Sequence, residues 1–209
     1  SIGTLAFECC GSLESINIPS SVKQIGSGAF TSCSSLKSVD IPLSVHSIGS
    51  GAFMYCKSLV SVVIPVASAI TTIDEYVFQG CTSLESINIP SSVKQIGPHA
   101  FQYCSSLTSV VIPATVECIH KCAFNQCTRL ESVVICEGVK FIEYAAFSHC
   151  QSLKEIQIPA SVDHIRDKAF ENCSNLKTIV LPDQFCDTEN KKRLSIDESV
   201  TCVPHSEYV

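Results

Sequence analysis

The chain has 209 residues, a formal net charge of -6, 45% hydrophobic residues and fourteen cysteines, with a mean hydropathy of +0.28. The acidic balance, and the lack of any clustered Lys/Arg face, exclude nucleic acid and anionic lipid as expected partners. The longest nearly uncharged apolar stretch, Ser61 to Ile70, is broken by Pro65 and falls far short of the roughly 20 residues a spanning helix needs, so no membrane insertion is expected.

From its first residues the chain runs through one recurring unit. It opens inside a copy, at Ser1-Ile2-Gly3, with neither an initiator Met nor a signal-peptide pattern, and so reads as an excised segment with an uncovered apolar end. With Phe as landmark, copies fall at Phe7, Phe30, Phe53, Phe78, Phe101, Phe124, Phe147 and Phe170, in steps of 23 residues except one of 25. Cys follows three residues later (Cys10, Cys33, Cys56, Cys81, Cys104, Cys127, Cys150, Cys173) and Leu six later, as in Leu107. Apolar residues follow at nine and eleven, and Pro at twelve in seven of the eight copies. A fixed period of this size marks a solenoid, whose units cannot bury an apolar face alone and must stack. Leu-x-x-Ile-x-Ile alternates with the period of a half-buried strand, and Pro, having no N–H, ends it. A second apolar pair such as Val93 and Ile96 brings the chain across the other side, a Gly such as Gly97 turns it, and Ala-Phe is predicted to start a short helical turn that inserts the ring as filler.

Residues 12–26 are identical to 83–97, which points to duplication of whole units. The 25-residue step places two extra residues between Pro65 and Ile73, expected as a bulged loop, and the sixth copy carries Cys136 where Pro is usual. After Pro182 the pattern decays through Phe185 and the polar run Asp187 to Arg193. The chain is therefore divided into a repeat array over 1–182 and a capping segment over 183–209, because the last rung needs an atypical cover.

The pattern L-x-x-I-x-I-P-x-x-V-x-x-I-G-x-x-A-F-x-x-C resembles the BspA-like, or Treponema-type, leucine-rich repeats over roughly residues 1 to 182. The resemblance implies a right-handed α/β repeat solenoid of eight units of about 23 residues, with a parallel sheet on the concave face and short strands and helical turns on the convex side. It implies a non-enzymatic protein-binding module, part of a cell-surface or secreted adhesin whose partner is a host or extracellular-matrix protein. The cysteine count, suited to a reducing compartment, supports the alternative of a cytoplasmic interaction scaffold or regulatory subunit. A bridge between Cys186 and Cys202 would resemble the stapled flanks of extracellular leucine-rich repeats and stands beside the alternative of two free thiols.

The column cysteines share one position per unit, so their side chains run parallel, poorly placed for disulfides, and read as small buried hydrophobes beside the Phe ladder. Cys118, His120, Cys122 and Cys127 crowd together, but their spacings match no closed tetrahedral pattern and Cys127 belongs to the buried column, so no metal is expected. Asn172-Cys173-Ser174 is formally a sequon, expected to be unused inside a core column. There is no phosphate-cradling loop, nucleophile elbow or His-Glu-x-x-His, and no recurring base beside a nucleophile, so neither enzyme nor cofactor is expected.

What remains is the outward side of each strand. The residues eight and ten after Phe point opposite to the buried pair and form two files, Ser38, Ser61, Ser86, Ser109, Ser132 and Asp40, Val63, Asn88, Val111, Val134, continued by Glu155, Thr178 and Gln157, Val180. Small hydroxyls beside a partly apolar stripe suit an extended protein partner, and equally suit a merely exposed strand. Leucine-rich repeats generally bind on the concave sheet, so the resemblance points to these residues as the partner-binding face, rimmed by Glu14, Lys37, Glu85, Glu131, Lys154 and Lys177.

Overall fold

The computed structural model describes residues 1–208. In chain order the strands are β1 (Gln24–Ile25), β2 (Ser38–Asp40), β3 (Ser47–Ile48), β4 (Ser61–Val63), β5 (Thr72–Ile73), β6 (Ser86–Ile87), β7 (Gln95–Ile96), β8 (Ser109–Ile112), β9 (Cys118–Ile119), β10 (Ser132–Ile135), β11 (Phe141–Ile142), β12 (Glu155–Gln157), β13 (His164–Ile165), β14 (Thr178–Leu181) and β15 (Thr201–Pro204). The even-numbered strands and β15 form one eight-stranded sheet, and the odd-numbered ones form a two-stranded sheet, β1-β3, and a five-stranded sheet, β5-β7-β9-β11-β13. The pairings are parallel and keep equal unit positions together, as in Ser109 beside Ser132 and Ile112 beside Ile135. Equal unit length is the cause: a chain that spends 23 residues per turn returns each side chain to its own kind. The two sheets are thus the two long walls of a coil that rises one strand spacing, about 4.8 Å, per turn.

Within each wall the alternation does what the sequence pattern predicts. Along β10, Ser132 and Val134 are exposed while Val133 and Ile135 are buried. The 25-residue step interrupts only the second wall. β3 and β5 do not pair, Val66 projects into solvent, and the main sheet continues across the insertion with Ser61 beside Ser86.

The helical turns predicted on the far side do not form, and the α/β description holds only in part: the molecule is a parallel β-solenoid of about eight turns with few helices. Around each landmark Phe the residues two before and two after have positive φ, for example Cys122 at 54° and Gln126 at 64° around Phe124, and all eight copies repeat this. A left-handed residue costs about 1–2 kcal/mol without glycine and interrupts any right-handed helix. What offsets it is hydrogen bonding between coils. The Phe124 N–H donates to Ala146 O at 2.8 Å and Gln126 N–H to Ser148 O at 2.9 Å, both one coil on, while Cys127 N–H returns to Phe124 O at 3.3 Å. Alternate donors are spent on the neighbouring coil, which an i→i−4 ladder forbids. Among the described residues the single α-helix is α1 (Thr188–Arg193), capped by Asp187, whose Oδ1 accepts from Asn190 N–H at 2.7 Å.

Between the walls the Phe rings form one stack. Neighbouring centroids from Phe7 to Phe170 are 5.1 to 6.1 Å apart with planes within 16° of parallel, and Phe30 through Phe147 are fully buried. Centroid separations larger than the strand spacing mean offset stacking, the favoured aromatic geometry. Past Pro182 the chain makes one more turn. Lys168 N–H and Phe170 N–H donate to Arg193 O and Leu194 O at 2.9 and 3.1 Å, β15 extends the main sheet beside β14, and Leu194, Ile196 and Val200 are buried.

Phe124→Ala, which empties a mid-stack position, should lower stability by about 3 to 5 kcal/mol, whereas Gln126→Ala, half-buried on the same turn, should change it by about 0.5 kcal/mol or less. Chemical denaturation of both variants measures the contrast, and equal losses would contradict the role given to the ring stack.

Candidate functional site

The outward files of the main sheet are exposed at all ten positions singled out in the sequence: Ser38, Ser61, Ser86, Ser109, Ser132, Asp40, Val63, Asn88, Val111 and Val134. Strand pairing brings them side by side, Ser38 to Ser61 and Asp40 to Val63, Ser61 to Ser86, Ser86 to Ser109 and Val111 to Val134. Val63, Val111 and Val134 are 55%, 56% and 49% exposed, so the second file presents methyl groups to water beside a row of hydroxyls. A surface of this kind can accept a partner's apolar side chains and hydrogen-bond its backbone without charge desolvation.

The face is not flat throughout. Ser86, Asn88, Ser109 and Val111 line a hollow of about 300 Å³. A larger one of about 800 Å³ lies over Ser132, Val134, Glu155, Gln157, Thr178 and Val180, with Tyr208 on its wall. Val180, at the end of its file, is only 4% exposed. The turn after Pro204 returns to this end: His205 Nε2–H donates to Ile158 O at 2.6 Å and Ser206 N–H to Asp183 Oδ1 at 3.1 Å. Tyr208 lies outside the repeat, and no periodic signal could have placed it here.

Around the face, rim charges pair between adjacent coils, Lys37 with Glu14 at 2.6 Å and Lys154 with Glu131 at 3.9 Å. The Lys37 ammonium holds the Glu14 carboxyl below the usual carboxylate range. Pairs this exposed contribute little to stability, and their effect is to keep the rim close to neutral.

The column cysteines behave as a hydrogen-bonded ladder. Each thiol from Cys33 to Cys173 donates to the carbonyl of the Phe one coil earlier, at 3.1 to 3.3 Å, as from Cys127 to Phe101 O and from Cys150 to Phe124 O. Burial pushes the Cys56 thiol up to about 12, with a smaller contribution from Cys33, and carries Cys81, Cys104 and Cys150 well above the ordinary thiol range. Thiolates are the reactive form, so these groups are inert. Cys186 and Cys202 are free thiols in the structure; burial raises Cys186, and the neighbouring Cys202 raises it further.

Of the crowded set Cys118, His120, Cys122 and Cys127, the last is held in the ladder and the structure gathers Cys118 and His120 with Glu143 instead. Ser148 Oγ meets His149 Nδ1 at 2.7 Å, and Asn172 Nδ2 approaches the other ring nitrogen at 3.0 Å. Ser148 is 1% exposed, so a substrate has no path to it and the contact is structural. No helix among the described residues is long and apolar enough to cross a membrane.

A family model described as the BspA type leucine rich repeat region, in six copies, matches residues 1–127 and 94–194. Among solved structures, a leucine-rich repeat protein of T. pallidum is similar at 29% identity, with a TM-score of 0.71 over 90% of this chain and 86% of that one. One from Eubacterium ventriosum is 31% identical, with a TM-score of 0.69 over 76% of this chain and 42% of the other. A leucine rich cell surface protein from Faecalibacterium prausnitzii is 25% identical, with a TM-score of 0.51 over 100% and 78%. No curated protein matches.

The thiol ladder predicts a reactivity order. In the native protein at about pH 8, near the unperturbed thiol range, a small alkylating reagent should modify exposed Cys9 and Cys10 first and leave Cys81, Cys104, Cys127 and Cys150 unmodified until denaturant is added. Peptide mass spectrometry over time measures this; labelling of the four at the rate of Cys9 would overturn the ladder.

Proposed function

The chain belongs to the BspA-type leucine-rich repeat family, and from that premise we propose that it is a non-enzymatic module that binds protein on the outward face of its main sheet, as part of a cell-surface or secreted adhesin. The observation that carries the reading is the pair of exposed files, Ser38 to Ser132 and Asp40 to Val134, uncharged over most of their length. Repeat folds of this family are typically interaction modules. The surface assignment draws support from the F. prausnitzii relative, which is described as a leucine rich cell surface protein, and the partner is read as a host or matrix protein.

The same reading divides the chain into an array over 1–182 and a cap over 183–209, of which Val209 lies outside the described residues. The cap's polar helix and buried Leu194 suit a segment that covers the final rung. One observation favours a second reading, an intracellular scaffold: the chain carries fourteen cysteines, a count suited to a reducing compartment. The buried thiols resist oxidation in either compartment, so the weight rests on exposed Cys9 and Cys10 and on half-buried Cys122, Cys136, Cys186 and Cys202.

Solid-phase binding to a basement-membrane protein extract tests the first reading. Val111→Glu with Val134→Glu should weaken binding by at least tenfold without lowering Tm, while Lys94→Glu on the opposite wall should not. Retained affinity in the double variant would remove the sheet face, and absence of any matrix binding would remove the adhesin. Alkylation of protein from its native source under denaturing, non-reducing conditions separates the compartments: fourteen modified cysteines favour the scaffold, and a Cys186–Cys202 bridge favours export.

A further inference from the structure

The second wall of the solenoid holds a chemically distinct group. β9 pairs with β11 so that Ile119 lies beside Ile142, and the next residue of each, His120 and Glu143, therefore meet. This position, four before the landmark Phe, is glycine at Gly3, Gly26, Gly49 and Gly97 and charged at Asp74 and Arg166; the sixth and seventh units place an imidazole and a carboxylate there side by side. His120 Nδ1 lies 3.2 Å from Glu143 Oε2. Cys118, two residues before His120, is directed to the same side by the strand period, where neighbouring units carry Gln95 and Phe141. Its sulfur completes a trio whose ligand atoms all lie within 4.8 Å of one another.

The surroundings suit a bound cation. Both ring nitrogens of His120 face oxygens, with Nε2 3.4 Å from Gln95 Oε1, and two arrangements satisfy both: an imidazolium that donates twice, or a cation on Nδ1 with Nε2–H donating to Gln95. The second is the outer bond that metal-bound histidines ordinarily make, and the sulfur of Cys118 on the same side favours it. The other end is held too, because Lys121 N–H donates to Glu143 Oε2 at 3.1 Å. Thiolate, imidazole and carboxylate are all zinc ligands, and in a tetrahedral site they lie roughly 3.3 to 3.8 Å apart. Drawing the group in by about 1 Å reaches that spacing.

We propose that Cys118, His120 and Glu143 form a Zn²⁺ site that clamps the sixth and seventh coils together, with a fourth position left to water. Cys118 is buried, while the side chains of His120 and Glu143 are 26% and 37% exposed, so the ion is reached from solvent on the side of those two. This revises the expectation of no metal: the sequence cluster fails as written because Cys127 is held in the ladder and Cys122 is not among the gathered ligands, and the missing ligand comes from the next coil. The site is on the wall opposite the main sheet face and is independent of any binding there.

The test is zinc content after equilibrium dialysis of the 209-residue chain, read by elemental analysis, with Co²⁺ as a spectroscopic substitute. One equivalent of zinc per chain, a rise in Tm on loading and a thiolate-to-cobalt absorption band are expected. His120→Gln and Glu143→Gln, at partly exposed positions, should each weaken binding by at least tenfold, and Gln95→Leu by about 10 to 100-fold. Cys118→Ser should abolish the cobalt band. The rival ligands are the exposed thiols Cys9 and Cys10 and the neighbouring pair Cys186 and Cys202, so Cys9→Ser with Cys10→Ser, and separately Cys186→Ser with Cys202→Ser, should leave the stoichiometry unchanged. No retained zinc, or zinc undiminished in the His120 and Glu143 variants, overturns the site and leaves an ion pair between neighbouring coils.

Discussion

Everything in this molecule depends on side chains of one kind being stacked on themselves at the spacing of parallel strands. With coils about 4.8 Å apart there is room above a buried residue only for another of similar size and shape, and the Phe column shows the result as rings in unbroken offset register from Phe7 to Phe170. Such a core has no layers to interdigitate. Its stability is a sum of contacts between neighbours, so each unit supports the next and the end units have a bare side. The chain past Pro182 meets that condition by adding β15 and burying Leu194 after the last ring.

The same stacking settles where the backbone hydrogen bonds go, and through them the fold class. A coil that bonds to its neighbour along its whole circumference cannot also close bonds along a helix axis, so the segment around each Phe adopts paired left-handed residues instead. The column cysteine fits there because its thiol is small and donates to the Phe carbonyl one coil back. The burial that makes it a good filler removes its chemistry, since the thiolate is driven out of reach. A chain with fourteen cysteines is therefore mostly free of reactive thiols.

The two walls divide the surface into regions of different character. On the main sheet the outward files keep small hydroxyls in one row and mix valines with amides in the other, giving a long strip in which Asp40 and Glu155 are the charged members. On the second wall the exposed positions vary from unit to unit, and a local combination such as Cys118, His120 and Glu143 arises at one place only because pairing in register brings sequence neighbours of one coil beside those of the next. Repetition supplies the scaffold and departures from it supply the chemistry.

Much of this was legible in the sequence. The period of 23, the Phe and Cys columns and the alternation around Ser132 to Ile135 each follow from local rules, because in a solenoid the long-range neighbour of a residue is the same residue one period on. Helical turns around the Phe were misread, since local propensity carries no information about donors spent on another coil. Glu143 was missed as a partner of His120 although both stand at one unit position, which is glycine in four of the eight copies. Tyr208 had no signal, lying outside the period. Unit length and the period of two suffice for the stacking, the buried columns from Phe30 onward and the exposed files from Ser38 to Val134. The left-handed turns, the break in the second wall at the 25-residue step, the tail's return toward a buried Val180 and the meeting of Cys118, His120 and Glu143 had to come from three dimensions, because each depends on the height and direction at which one coil passes the next.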